Sequence, residues 1–134
     1  MCGIYLLYLM QRGAMIMEIQ QGEDLKILQK TFDMIVFAYD VLRHFPKSEK
    51  FSIAADIKRC MDIMLELIIE AQKKYHKKTT LQNLDIANAK LRAYTRLANR
   101  LGFLPNGKYA EWSKKNVEIG KMIGGWIKAT AARS

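Results

Sequence analysis

From residue 24 onwards the apolar residues return at alternating steps of three and four, the spacing that keeps side chains on one face of a helix. Between Phe45 and Tyr75 the positions Ala54, Ile57, Met61, Met64, Ile68, Ala71 and Tyr75 follow this rule. They predict one long amphipathic helix from Ser48 to Tyr75. Pro46 pushes Phe45 out of the α region and so stops the preceding segment, and Ser48 offers a capping hydroxyl. At ~1.5 Å per residue such a helix reaches roughly 40 Å, so its partners must be long helices too.

The same period predicts a first helix from Asp24 to His44, with Leu25, Leu28, Phe32, Ile35, Tyr39 and Leu42 on its buried face and Phe37, Ala38 and Val41 widening it. A third runs from Leu81 to Leu101, with Leu84, Ala87, Leu91, Tyr94, Ala98 and Leu101 as its seam and Gly102 as its stop. A fourth runs from Lys108 to Lys128, with Trp112, Ile119, Ile123 and Trp126 facing the core and Asn116 the one polar residue in that register. Short connections between helices of similar length predict an all-α, up-down-up-down antiparallel four-helix bundle over residues 23–130. No segment of useful length has strand periodicity. Residues 1–22 form a leader outside this pattern, a loose tail or an extension upstream of a later start at Met10, Met15 or Met17. Its apolar run from Ile4 to Met10 lacks a basic flank and is too short to cross a bilayer, which argues against a secretory signal or a membrane anchor. The tail from Ala129 to Ser134 is expected to fray.

Charge changes the picture from a plain bundle to a binding protein. The 134 residues carry a formal net charge of +9. Excess charge of one sign repels itself, and a polyanionic partner relieves it. Nucleic acid is the first candidate, an acidic protein surface the second and a membrane surface the third. Cys2 and Cys60 have no zinc-type spacing, so the chain calls for no metal and no cofactor, and a reducing cytoplasm is the simplest setting.

Arg92, Arg96 and Arg100, four apart on the third helix, predict an exposed guanidinium column; Lys114, Lys121 and Lys128, seven apart on the fourth, predict a second. Lys73, Lys74, Lys77 and Lys78 add a basic connection. One such column reads as a solvated helix face, but two on consecutive helices beside a basic loop point to phosphate binding. Arginine suits bidentate phosphate contacts, which hold a backbone without reading sequence. No aromatic residue interleaves the arginine column, so nothing there suggests base stacking. On the second helix Asp62, Glu66 and Glu70 form an acidic column. They suit intrahelical ion pairs with Arg59 and Lys74, or contact with a basic face of a second copy of the chain. Gly120 and Gly124 are costly inside a helix unless another helix packs closely there, within the bundle or across a subunit interface. No catalytic motif occurs, and the two histidines, His44 and His76, lie near helix ends, so no enzymatic activity is expected.

The stretches FPKSEKFSIAADIKRC from Phe45, LDIANAKLRAYTRLANRLGFLPNGKYAEWS from Leu84 and EIGKMIGGWIKA from Glu118 resemble the accessory variability determinant (Avd) family of diversity-generating retroelements. The four-helix proteins encoded within ribosomal-RNA intervening sequences are similar around the FPKSE opening, and a protein of that kind is the alternative. The Avd resemblance implies a homopentameric barrel of bundles with no catalytic centre. It further implies binding to the retroelement's reverse transcriptase and to its template RNA, with the cDNA a further candidate ligand. In that family the complex copies a template repeat into adenine-mutagenised cDNA that replaces a variable repeat, the process of mutagenic retrohoming. The family's basic binding residues map onto Arg92 and Arg96 through the LRxxxRLA match.

Overall fold

The computed structural model describes residues 22 and 24–133; apart from Gly22, the expected leader lies outside the described residues. These fold as four helices, α1 (24–42), α2 (Ile53–Lys73), α3 (Lys78–Arg100) and α4 (Asn106–Arg133), with a short 3₁₀ turn at Lys47–Glu49 and no strand among the described residues. Tie points between neighbours run in opposite directions along the chain. On α1, the Asp24 backbone carbonyl accepts a hydrogen bond from the Gln72 side-chain amide while Tyr39 lies under Lys58. On the other side of α1, Phe37 meets Trp112 and Lys30 meets Glu118. α2 packs on α3 and α3 on α4. Each neighbouring pair is antiparallel, and the bundle closes with α1 against both α2 and α4.

The core is lined by the expected positions of α2, Ala54, Ile57, Met61, Met64, Ile68 and Ala71, all buried, and by Leu84, Leu91 and Ala98 of α3. Trp112, Ile119 and Ile123 of α4 complete it, with the Trp112 and Phe37 rings edge to face at 6.2 Å.

Five sequence expectations are corrected: Leu101, placed in the buried seam of α3, is 52% exposed at the end of that helix, α4 continues through the tail expected to fray as far as Arg133, and the other three concern α1 and α2. In α1 the buried stripe is Ile27, Thr31, Met34, Ala38 and Val41, whereas Leu25, Phe32 and Tyr39 are exposed. Both stripes have helical spacing; the buried one is masked by Thr31, whose hydroxyl donates to the Ile27 carbonyl at 2.8 Å and so needs no partner in the core. The long helix begins at Ile53, not Ser48, because the chain first makes the 3₁₀ turn; Ser52 precedes the helix and its hydroxyl bonds Glu49 at 2.5 Å. It also ends at Lys73, where Lys74 turns extended, so Tyr75 leaves the seam and is 90% exposed.

The corner between α3 and α4 forms as the sequence indicates. Gly102 has φ +82°, its N–H bonds the Asn99 carbonyl at 3.0 Å, and the Phe103 N–H bonds the Ala98 carbonyl at 3.0 Å. This is the double closure of a Schellman motif. Asn99 then donates to the Leu104 carbonyl and to the Asn106 side chain, both at 2.9 Å, fixing the start of α4. Among the described residues no helix is long and apolar enough to cross a membrane.

The rotated register of α1 sets an expectation for urea unfolding at concentrations low enough to keep copies apart. Met34→Ala should cost about 2–5 kcal/mol, and Val36→Ala on the outer surface less than about 0.5. Equal losses would return the buried face to the Leu25/Phe32 stripe.

Candidate nucleic-acid interface

α3 presents its charges because its buried residues recur on the opposite side. Arg92, Arg96 and Arg100 are all exposed, and none forms an ion pair among the described residues. Arg92 lies one turn beyond Asn88, whose amide reaches α4, so the column starts beside the α3–α4 seam and turns outward along about 12 Å of helix. Lys114, Lys121 and Lys128 are likewise exposed and without ion pairs, over about 21 Å of α4. The structure therefore brings both expected columns onto the outer surface of two adjacent helices.

The α2–α3 connection is less uniform. Lys74 pairs with Glu70 at 2.6 Å and donates to the Thr80 hydroxyl at 3.4 Å. Lys77 donates to the Ala71 carbonyl, near the negative end of the α2 dipole, and its ammonium sits 6.0 Å from the centroid of the Trp126 ring. These two lysines hold the end of the bundle together. Lys73 and Lys78 are exposed with no bonded partner among the described residues, and Lys78 belongs to the first turn of α3.

Opposite the basic surface, α1 and α2 present something else. Leu25, Phe32 and Tyr39, seven apart, together with Val36, form an exposed apolar stripe, and Ile69 of α2 is 45% exposed. Lys58 covers the Tyr39 ring at 5.0 Å, and Asp62 and Glu66 follow it at steps of four along α2. Asp62 and Glu66 are exposed and unpaired among the described residues, whereas Glu70 is taken by Lys74, and Arg59 pairs with Asp56 at 3.4 Å rather than with Asp62. The apolar stripe was visible in the sequence but assigned to the core.

The glycines of α4 separate. A Cβ on Gly120 would lie 3.0 Å from the Asn88 side-chain oxygen, while one on Gly124 would meet nothing within 4 Å. Asn88 donates to the Asn116 carbonyl at 3.2 Å, and both asparagines are buried. Gly120 is thus where α4 comes close to α3 inside one chain. Asn88 was missed in the sequence because its position interrupts an otherwise apolar seam.

Burial pushes the Cys60 thiol up, against a weaker lowering by Lys90, so it stays protonated at neutral pH. Among the described residues no group of His, Cys, Asp and Glu could hold a metal ion. A hollow at the start of α4, lined by Pro105, Lys108, Glu111 and Lys114, is shallow and open.

A small all-helical bundle with exposed cationic columns on two adjacent helices defines a basic four-helix protein whose exposed chemistry suits binding. The model of the bAvd-like family matches residues 25–130. The chain belongs to that family, as its three motif stretches indicate. No curated protein matches it.

The two glycines are expected to respond oppositely to alanine. Gly120→Ala should lower stability in urea unfolding but become stabilising in an Asn88→Ala background, and Gly124→Ala should raise it by up to about 1 kcal/mol. A Gly120→Ala gain in the wild-type background would show that Asn88 yields and that the contact is slack.

Proposed function

We propose that the protein is a non-catalytic accessory factor of a diversity-generating retroelement, binding the element's reverse transcriptase and its template RNA in the cytoplasm and supporting mutagenic cDNA synthesis. The observation that carries this reading is the Arg92/Arg96/Arg100 column, three exposed guanidinium groups without ion pairs among the described residues. Membership of the bAvd-like family supplies the retroelement context. The cationic groups neutralise phosphates and release counterions, so binding is salt-sensitive and weakly dependent on sequence.

The chain acts as a ring of copies, five in the arrangement the family resemblance implies. Its outer α1–α2 surface is the subunit contact: burying Leu25, Phe32 and Val36 removes apolar surface from water, while Asp62 and Glu66 meet cations of the neighbour and fix its orientation. Because that surface differs from the basic one, the contact is between unlike patches, the kind that closes into rings.

Two measurements test these parts separately. Arg92→Ala/Arg96→Ala should keep the helical content and the assembled mass, weaken template-RNA and polymerase binding, and reduce the salt slope of RNA binding by roughly one per arginine; unchanged binding to both partners would reject the role. Phe32→Glu/Val36→Glu should reduce the solution mass toward that of one chain without unfolding it. Retention of the full assembled mass would exclude the α1–α2 surface as the contact.

A further inference from the structure

The segment Lys73-Lys74-Tyr75-His76-Lys77-Lys78 sets two aromatic rings between two pairs of lysines. Its periodicity assigns Tyr75 to the core seam of the long helix, but α2 ends at Lys73 and Tyr75 is 90% exposed. The Tyr75 ring meets the His76 imidazole, which stands almost perpendicular to it at 4.9 Å, 86°. The backbone beneath is held. Lys74 N–H bonds the Glu70 carbonyl at 3.0 Å, the Lys77 side chain closes on the Ala71 carbonyl, and the Leu81 N–H bonds the Lys77 carbonyl at 2.8 Å. An apolar ring displayed on an anchored turn loses its surface to water unless something covers it, and here what surrounds it is cationic. Lys73 and Lys78, at the two ends of the segment, have no bonded partner among the described residues.

We infer that this end of the bundle binds unpaired nucleotides, with a base stacked on Tyr75 and the adjoining phosphates held by Lys73 and Lys78. The chemistry needs both parts. A π-face accepts any base, and cations on either side follow the strand as it passes. A duplex offers phosphates but keeps its bases stacked on each other, so it engages the lysines and not the ring. His76 is a positioning residue that limits the rotation of the phenol. The arginine column of α3 has no such aromatic and makes no distinction between paired and unpaired strands. The inference rests on the proposed RNA-binding role and adds to it a preference for single-stranded segments at one end of the molecule.

The test uses the full chain and labelled oligonucleotides of about 12 nucleotides, within the span of a single-strand site: single-stranded RNA, single-stranded DNA of the same sequence, and the RNA duplex. Tyr75→Ala should weaken binding to single strands by about fivefold or more and leave the duplex within about twofold, while Tyr75→Phe keeps wild-type binding. The RNA and DNA arms show which strand, template or cDNA, the site favours. Wild-type affinity of Tyr75→Ala for both single strands, or an equal loss on single strands and duplex, overturns the stacking site while leaving the RNA-binding role intact. Failure of the wild-type chain to bind any RNA overturns both.

Discussion

Closure of this bundle depends on α4 being gripped from two sides. Phe37 of α1 stands edge-on against the buried Trp112, and Asn88 of α3 donates to the carbonyl of Asn116 one turn further along. The second contact requires a bare backbone at Gly120, where a Cβ would crowd the Asn88 oxygen. A glycine inside a helix costs about 1 kcal/mol in propensity relative to alanine. That loss is offset by a polar contact which has one register, since sliding α4 along α3 by a turn would separate Asn88 from Asn116 and leave buried amides unmatched. The Asn116 side chain itself finds no partner among the described residues, so the pair constrains geometry more than it adds stability. Greasy contacts elsewhere in the core, rich in Met34, Met61 and Met64, could repack with little penalty. The asparagine contact cannot.

With the register fixed, the surface follows. Each helix turns one stripe inward, and whatever lies on the other side is displayed. For α3 and α4 that is chiefly arginine and lysine, with Ile86, Leu97 and Val117 among them; for α1 and α2 it is chiefly leucine, phenylalanine and valine, with Asp33, Asp62 and Glu66 unpaired among the described residues. The ion pairs that do form, such as Lys30–Glu118 at 3.1 Å, are exposed, and pairs of that kind contribute about 0–1 kcal/mol each. They trim the charge distribution without holding the fold. The two broad surfaces of the molecule therefore differ in what they can attract.

How much of this was legible in the sequence varied with the strength of each helix's pattern. For α2, whose apolar positions form one clean stripe, six of the seven seam residues named from spacing are buried. The exception, Tyr75, fits the period but lies beyond the end of the helix, and periodicity carries no information about where a helix stops. For α1, apolar residues occupy more than half the circumference, so spacing supports two stripes equally; the choice of Ile27/Met34/Val41 over Leu25/Phe32/Tyr39 comes from tertiary packing. Of the site, the arginine and lysine columns were readable because charge at helical spacing opposite a seam must be outside. The Asn88–Asn116 contact and the display of Tyr75 were not, since the first depends on how two helices meet and the second on where α2 ends.

The cationic surface also has a consequence for the isolated chain. A net charge of +9 on a bundle of this size disfavours compactness through repulsion along α3 and α4, where Arg92, Arg96, Arg100, Lys114, Lys121 and Lys128 form no ion pair among the described residues. Placing carboxylates between them would stabilise the free protein, as Glu70 does for Lys74 at one end. It would also occupy the groups proposed to meet phosphate. Of the α4 carboxylates, Glu118 pairs with Lys30 of α1 and Glu111 with Lys108, and neither is bonded to Lys114, Lys121 or Lys128. A ligand that binds the folded state alone stabilises it in proportion to the logarithm of its concentration over its dissociation constant. A polyanion lying along α3 and α4 thus raises the stability of the bundle by removing the repulsion that the unliganded chain retains. Under the proposed binding role, fold and binding are coupled through charge, and the coupling weakens as salt screens both terms.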